Sequence, residues 1–408
     1  MRIALFTCLL IIFCSCGRRG TDEKDNTGSV IKIDLLSEPR SGITRLSDFA
    51  SDIGYIPLQT TENSLMGNVR HKIVNPDNRI YLENTEGIFN SVILCFDTGG
   101  KFLFKLQKAG RGPEEYTSIA DFDVSSDNKV LTILSGLDHK LQVYGISDTG
   151  FTFRRSVTLK GPVPERVSMV PETDKAFLAI PPWRGTEPTL SLLINTYGDT
   201  ILFKPNCYNY KMVRKENFVA GNEMIVYSFG NKVCFKEEFS DTVFCIDSKS
   251  TSFKPRMIFD SHGTLATPEV RGGSQAFGNQ STYIANIFET LRYVFGYYIS
   301  SGPIRNRFIF DKITRTKYLL DTDNKGTSKV KDDLAGGPDF NIEFLDNYCS
   351  NNRLFSFVEA IALKKFVAGE DFRKAKVGDP KKKEELKRLA ESLKETDNPV
   401  LVVVTPKE

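Results

Sequence analysis

Residues 71–106 read HKIVNPDNRIYLENTEGIFNSVILCFDTGGKFLFKL. Four short runs stand out, at Lys72–Val74, Arg79–Leu82, Ser91–Phe96 and Lys101–Leu106. They are rich in β-branched and aromatic residues, which favours strand. Pro76-Asp77-Asn78 and Asp97-Thr98-Gly99-Gly100 supply turns between them. A module of four short strands cannot cover both of its faces alone. Its meaning depends on whether it recurs.

It does recur. A turn-forming Asn or Asp, then Lys or Arg, then an apolar strand start appears five times. The copies are Asn78-Arg79-Ile80, Asn128-Lys129-Val130, Asp174-Lys175-Ala176, Asn231-Lys232-Val233 and Asn352-Arg353-Leu354. Their spacings are 50, 46, 57 and 121 residues, so the last gap holds one degenerate copy. The strand-like RYVFGYYI at 292–299 fills it. Asp97-Thr98-Gly99 and Asp148-Thr149-Gly150 fall at the same place in their units, before the outermost strand. Six units of four strands predict an all-β, six-bladed β-propeller. A sandwich would supply many strands but not this fixed period.

An open ring leaves sheet edges exposed. IGYIPLQT at 53–60 and PVLVVVTPK at 399–407 lie outside the regular units, and both are strand-like. They are expected to complete the last blade together. One amphipathic helix is expected at 381–395, with Leu386, Leu389, Ala390 and Leu393 on one stripe, packed on the ring before the closing strand. Its Lys381–Lys383 run reads as a solvated face.

The chain opens MRIALFTCLLIIFCSC. Its uncharged run Ile3–Phe13 is shorter than the roughly 20 residues a spanning helix needs. It suits the apolar region of a secretory signal. The run ends at Phe13-Cys14-Ser15-Cys16-Gly17, which resembles a bacterial lipobox, although Phe13 replaces the usual leucine. The resemblance implies a signal at residues 1–15, a lipid on Cys16, a flexible tether at 16–29 and a folded body at 30–408. A conventional cleaved signal or a short anchor is the alternative. The expected place is the cell envelope, anchored by lipid to the periplasmic or surface face of an outer membrane. Asp22, Glu23 and Asp25 faintly resemble signals for surface display, and a plain linker explains them as well.

Composition narrows the functions. A net charge of +3, about +2 once Arg2 is cleaved away, gives no basic field for nucleic acid. Five cysteines remain beyond Cys16, with no C-x-x-C pair, so no disulfide framework is expected. Cys234 and Cys245 flank an expected hairpin and either face each other in a bridge or stay buried free thiols, the second being the favoured reading. His71, His139 and His262 have no metal-ligand spacing, and neither a G-x-S-x-G elbow nor a phosphate loop occurs. No catalytic residue, metal or cofactor is therefore assigned. DTDNKG at 321–326 loosely follows a calcium loop, but Lys325 and Asp332 depart from the pattern. In DDLAGGPDF at 332–340, Asp332, Asp333 and Asp339 surround a Gly-Gly-Pro turn; a long inter-strand loop is the simpler account, and a cation or sugar site is the alternative.

Several phrases together resemble the six-bladed β-propeller lipoproteins of Bacteroides-type bacteria. They are GRGPEEY at 110–116, FSDTVFCID at 239–247, IFETLRYVF at 287–295, DDLAGGPDF at 332–340 and NPVLVVV at 398–404. Their order and spacing carry the resemblance over about residues 30–405. The layout is also similar to the wider NHL-type propellers. The resemblance implies fold and location more than activity. It fits a binding or scaffolding protein for a glycan, a peptide or a partner protein, with the membrane reached through the lipid. The alternative is a propeller-type glycan lyase or hydrolase.

Two segments supply candidate contact residues. In GRGPEEY the glycines and Pro113 suit a blade-to-blade crossing, and Arg111 and Tyr116 either pin it or meet a ligand. In AIPPWRGTEPT at 179–189, Trp183 is the only tryptophan; two prolines hold it extended beside Arg184. It either stacks on a sugar or peptide, or merely sits in a wide hairpin loop.

Overall fold

The computed structural model describes residues 30–74, 78–85, 90–211, 223–271, 281–300, 304–320, 328–342, 349–350 and 352–408. The signal, Cys16, the tether and the 321–326 loop lie outside these residues. Six four-stranded blades form a propeller ring. Blade 1 holds Asn68–Val74, Arg79–Thr85, Ser91–Asp97 and Phe102–Leu106, inner to outer. Blade 2 runs from Asp121–Val124 to Phe151–Thr158, and blade 3 from Arg166–Met169 to Thr200–Pro205. Blade 4 runs from Met224–Phe229 to Lys254–Asp260, and blade 5 from Tyr283–Glu289 to Thr316–Leu320.

The recurring Asn/Asp-Lys/Arg element marks the start of the second strand in five blades: at Arg79, Val130, Lys175, Lys232 and Arg353. Tyr293–Ser300 is the second strand of blade 5. The preceding turn holds a left-handed residue in two copies, Asn128 (φ 59°) and Asn352 (φ 60°).

Middle strands are buried on both faces because each blade is sandwiched between neighbours. Ile80 to Asn84 are all buried. Alternate residues serve alternate interfaces. Tyr81, Ile93 and Cys95 pack with Phe122, Ile133 and Tyr144 of blade 2. Ile80, Leu82 and Leu94 pack with Phe355, Leu401 and Val403 of blade 6. Outer strands face solvent and alternate instead, as along Phe151–Thr158.

Closure is as expected: the last blade is built from both ends of the chain. Its strands are Cys349–Ser350, Arg353–Val358, the C-terminal Val400–Pro406 and, outermost, the N-terminal strand β3 (Ala50–Pro57). Pro57 lies opposite Val400 and Asp52 opposite Thr405, antiparallel. Two earlier strands were not expected. Strand β1 (Ile31–Asp34) adds a parallel fifth strand outside blade 4, and β2 (Arg40–Ile43) does the same to blade 5. Residues 31–57 thus form a belt over three consecutive blades.

Helix is more extensive than the single expected segment. Besides the four-residue α1 (Pro268–Arg271), the long connection in blade 6 carries α2 (Ala360–Ala368), α3 (Glu370–Lys374) and α4 (Pro380–Ser392). The expected helix is α4, ending three residues earlier than read. Asp379 caps it by accepting from the Lys381 N–H, and Pro380 sits at its first position. Leu386, Ala390 and Leu393 are buried against Leu363, Phe372 and Val400. The segment 360–374 was missed because Gly369 divides it into two pieces, each too short for a sustained stripe.

A second correction concerns Cys234 and Cys245. They lie directly opposite each other on the second and third strands of blade 4 and form a disulfide. Register brings them together, so burial does not keep them apart as thiols.

Candidate functional site

The stretch 110–116 is the crossing from blade 1 to blade 2, and its residues lock it to both. Tyr116 is fully buried, and its hydroxyl donates to the Ser91 carbonyl at 2.8 Å. Burial pushes its phenol up to about 12. The Tyr144 hydroxyl of blade 2 donates to the Glu114 carbonyl at 2.8 Å, and the Gln142 amide donates to the Glu115 carbonyl. The Glu115 carboxylate turns back to accept from the Gly112 N–H at 2.7 Å. A side chain at Gly110 would collide with that carboxylate. Of the two roles open to Tyr116, the structure shows the pin, because its ring fills the core between blades 1 and 2. Arg111 is exposed at the bend.

Trp183 stands apart from this crossing. It is 52% exposed and lines a cleft of about 740 Å³ between blades 2 and 3. Three connections form the walls. Gly136 and His139 come from the second-to-third strand turn of blade 2, Gly161–Glu165 from the next crossing, and Pro181–Pro188 from the corresponding loop of blade 3.

The Trp183 loop is held rigidly. The Trp183 N–H donates to the Pro181 carbonyl at 2.9 Å, and the Gly185 N–H to the Pro182 carbonyl at 3.1 Å. Tyr210, from the following crossing, donates its hydroxyl to the Pro182 carbonyl at 2.5 Å. Its own N–H reaches the Gly185 carbonyl at 3.0 Å. Gly185 has φ +74°, and a Cβ there would strike the Tyr210 backbone and ring. Glu187 closes the loop by accepting from the Arg184 N–H at 2.8 Å through Oε1. Its Oε2 is shielded from solvent and has no hydrogen-bond partner among the described residues. A buried acceptor without a donor is costly and needs an explanation.

A larger cavity of about 1090 Å³ lies where the belt, the crossing from blade 5 to blade 6 and the C-terminal helices meet. Its most conspicuous acids are occupied by architecture. Asp332 accepts from the Tyr55 hydroxyl and from the N–H groups of Leu334, Ala335 and Gly337. Asp333 accepts from the N–H and hydroxyl of Ser47. The acidic 332–340 segment therefore serves as a structured loop. Buried charge elsewhere is also spent on joining blades: Lys204 pairs with Glu237 at 2.6 Å between blades 3 and 4, and Glu289 binds Arg256 at 2.8 Å and Lys312 at 3.1 Å. Among the described residues, no group of three or more His, Cys, Asp or Glu is placed to hold a metal ion. Among those residues too, no helix is long and apolar enough to cross a membrane.

A model of the family described as "Domain of unknown function (DUF4934)" matches residues 29–405. The chain belongs to this DUF4934 family. A crystal structure from Bacteroides fragilis NCTC 9343, of a protein inferred to be exported, superposes with a TM-score of 0.66 at 19% identity. The match covers 93% of this chain and all of that one. A Bacteroides vulgatus member of the DUF4221 family aligns over 66% of this chain and 86% of its own, at 11% identity and a TM-score of 0.41. A comparison with curated proteins finds no match. The DUF4934 chain thus shares its ring with the B. fragilis protein.

Within this DUF4934 ring, the structure separates the three expected contact residues. Trp183 lines the cleft, whereas Arg111 and Tyr116 share the crossing from blade 1 to blade 2, the first exposed and the second internal. Sequence reasoning did not find His139 or Glu187, because their relation to Trp183 arises only when two blades meet. One signal was available. Gly-Pro recurs at crossings, in Gly112-Pro113, Gly161-Pro162 and Gly337-Pro338, and the middle copy is a wall of the cleft.

Proposed function

We propose that this chain is a lipid-anchored lipoprotein of the cell envelope that binds or scaffolds a ligand through the Trp183 cleft. A glycan, a peptide or an envelope partner would be the ligand class. The carrying observation is a half-exposed tryptophan on a rigid loop in a concave site between two blades. Rigid presentation lowers the ordering cost of binding. Envelope location draws support from three sides: the lipobox-like Phe13–Gly17, the Cys234–Cys245 disulfide, which belongs in an oxidising compartment, and the similar fold of the exported B. fragilis protein.

Trp183 is the sole tryptophan, so intrinsic emission reports on the cleft alone. A ligand of the cleft is expected to shift that emission saturably and to raise the melting temperature with concentration. Binding that survives Trp183→Ala unchanged would move the site elsewhere. The anchor is tested separately. Cys16→Ala is expected to abolish lipid labelling and membrane fractionation, and unchanged fractionation would refute it.

A further inference from the structure

We infer that blade 5 rests on the bilayer that holds the Cys16 lipid, seated through the paired tips Leu291 and Ile313. The inference rests on the reading of the chain as lipid-anchored. Leu291 lies in the turn between the first and second strands of blade 5, and Ile313 in the turn between its third and fourth. They are 48% and 67% exposed. Tyr293 stands opposite Asp311 in the ladder, and the Lys312 N–H donates to the Arg292 carbonyl at 2.8 Å. Leu291 and Ile313 take the next opposed positions, within reach of each other. Both turns are fixed from beneath. Arg292 binds the Asp311 carboxylate at 2.7 Å, which also accepts from the Ile313 N–H at 2.8 Å. The Leu291 N–H donates to Asn352 of blade 6 at 2.7 Å. Two aliphatic side chains are thus held rigidly toward solvent. The matching turns of blade 2, Ser125–Lys129 and Ser147–Gly150, carry only polar residues and glycine. Tyr197, on the third turn of blade 3, is instead covered by Arg155 at 4.2 Å.

The occupant follows from where the chain enters the body. Residues 17–29 link Cys16 to β1 and span about 50 Å at most. Ile31 of β1 stands opposite Met257 on the outer strand of blade 4. The neighbouring Arg256 binds Glu289 at 2.8 Å, and Glu289 binds Lys312, beside Ile313, at 3.1 Å. The anchored end therefore joins the ring a few side chains from the tips. Charge agrees with that neighbour. Arg256, Arg292, Lys312 and the exposed Arg315 outnumber Glu289 and Asp311 here, which suits anionic headgroups. Aliphatic tips among basic residues fit a bilayer interface. The tether keeps that surface at high effective concentration, so even a shallow contact stays populated. Strands alternate in direction within a blade, so these two turns emerge on one face of the ring and the Trp183 loop on the other. The cleft is then turned away from the lipid.

The test places the full lipidated chain in phosphatidylcholine vesicles containing phosphatidylglycerol, with plain or brominated acyl chains. Bromine quenches only indoles that reach the acyl boundary. The wild-type chain reports through Trp183 alone, and its emission is expected to be equal in both vesicles. In a Trp183→Phe background, Ile313→Trp is expected to lose emission in the brominated vesicles, while Thr149→Trp on the exposed third turn of blade 2 does not. Adding Leu291→Asp is expected to restore the Ile313→Trp emission, with the melting curve retained because both side chains lie largely outside the core. Quenching of Trp183, or of Thr149→Trp as strongly as Ile313→Trp, overturns the seating. Quenching untouched by Leu291→Asp overturns the paired tip. An unquenched Ile313→Trp in a chain that carries the lipid overturns the inference, leaves the tips to a protein partner and keeps the anchor reading. A chain that takes no lipid label overturns the anchor reading and the inference with it.

Discussion

Tyr116 and Asp311 show how single side chains hold blades in place. Tyr116→Phe keeps the ring in the core but leaves the Ser91 carbonyl without its donor. It is expected to lower stability by about 1–2 kcal/mol, read by chemical denaturation, with the fold retained. Asp311 gives a pH test. Burial alone would raise its carboxyl, but the Arg292 guanidinium at 2.7 Å and the N–H groups of Ile313 and Thr314 hold it below the ordinary value. A depressed folded value means stability that is present above the unfolded carboxylate range, near 3.9, and lost as pH falls through the lower folded value. The Asp311→Asn variant is therefore expected to be less stable at pH 7. The gap should close progressively below about pH 4 in acid melts. At this scale the sequence was half legible. Trp183 announced itself by rarity, but the burial of Tyr116 and the unpaired Glu187 oxygen depend on blades that meet only in three dimensions.

Loops and hairpins carry the next level. Gly185 lets the Trp183 loop turn under Tyr210. Gly185→Ala combines backbone strain with a clash and is expected to cost about 1–3 kcal/mol. It should also alter Trp183 emission, which a change confined to another blade would not do. Reducing the Cys234–Cys245 bridge, which spans a separation of 11 residues, is expected to lower stability by about 2–3 kcal/mol. Thermal melts with and without reductant check it. Elements were most legible where physics repeats. In two blades the turn before the second strand is left-handed, which selects asparagine, at Asn128 and Asn352. Legibility failed where a pattern was short or broken. Strands β1 and β2 have four residues each and are defined by remote partners rather than by their own periodicity. The connection bearing α2 and α3 interrupts the period between the second and third strands of blade 6.

The ring as a whole depends on its two ends meeting. Deleting residues 399–408 removes a middle strand of blade 6 and leaves β3 without its partner. The truncated chain is expected to lose cooperative melting and to aggregate on size exclusion. A soluble truncation with an unchanged melting curve would argue against closure by the termini. The belt of β1 to β3 has a temporal consequence as well. Ile31 pairs with Met257, Arg40 with Tyr318, and Pro57 with Val400. The first strands to leave the ribosome are thus among the last to find partners, and each must wait for a later blade. Contacts so remote in sequence make folding slow. The belt docks in steps, β1 on blade 4, β2 on blade 5 and β3 only when the final strand arrives, so the ring commits to its closed shape only after that strand has been made.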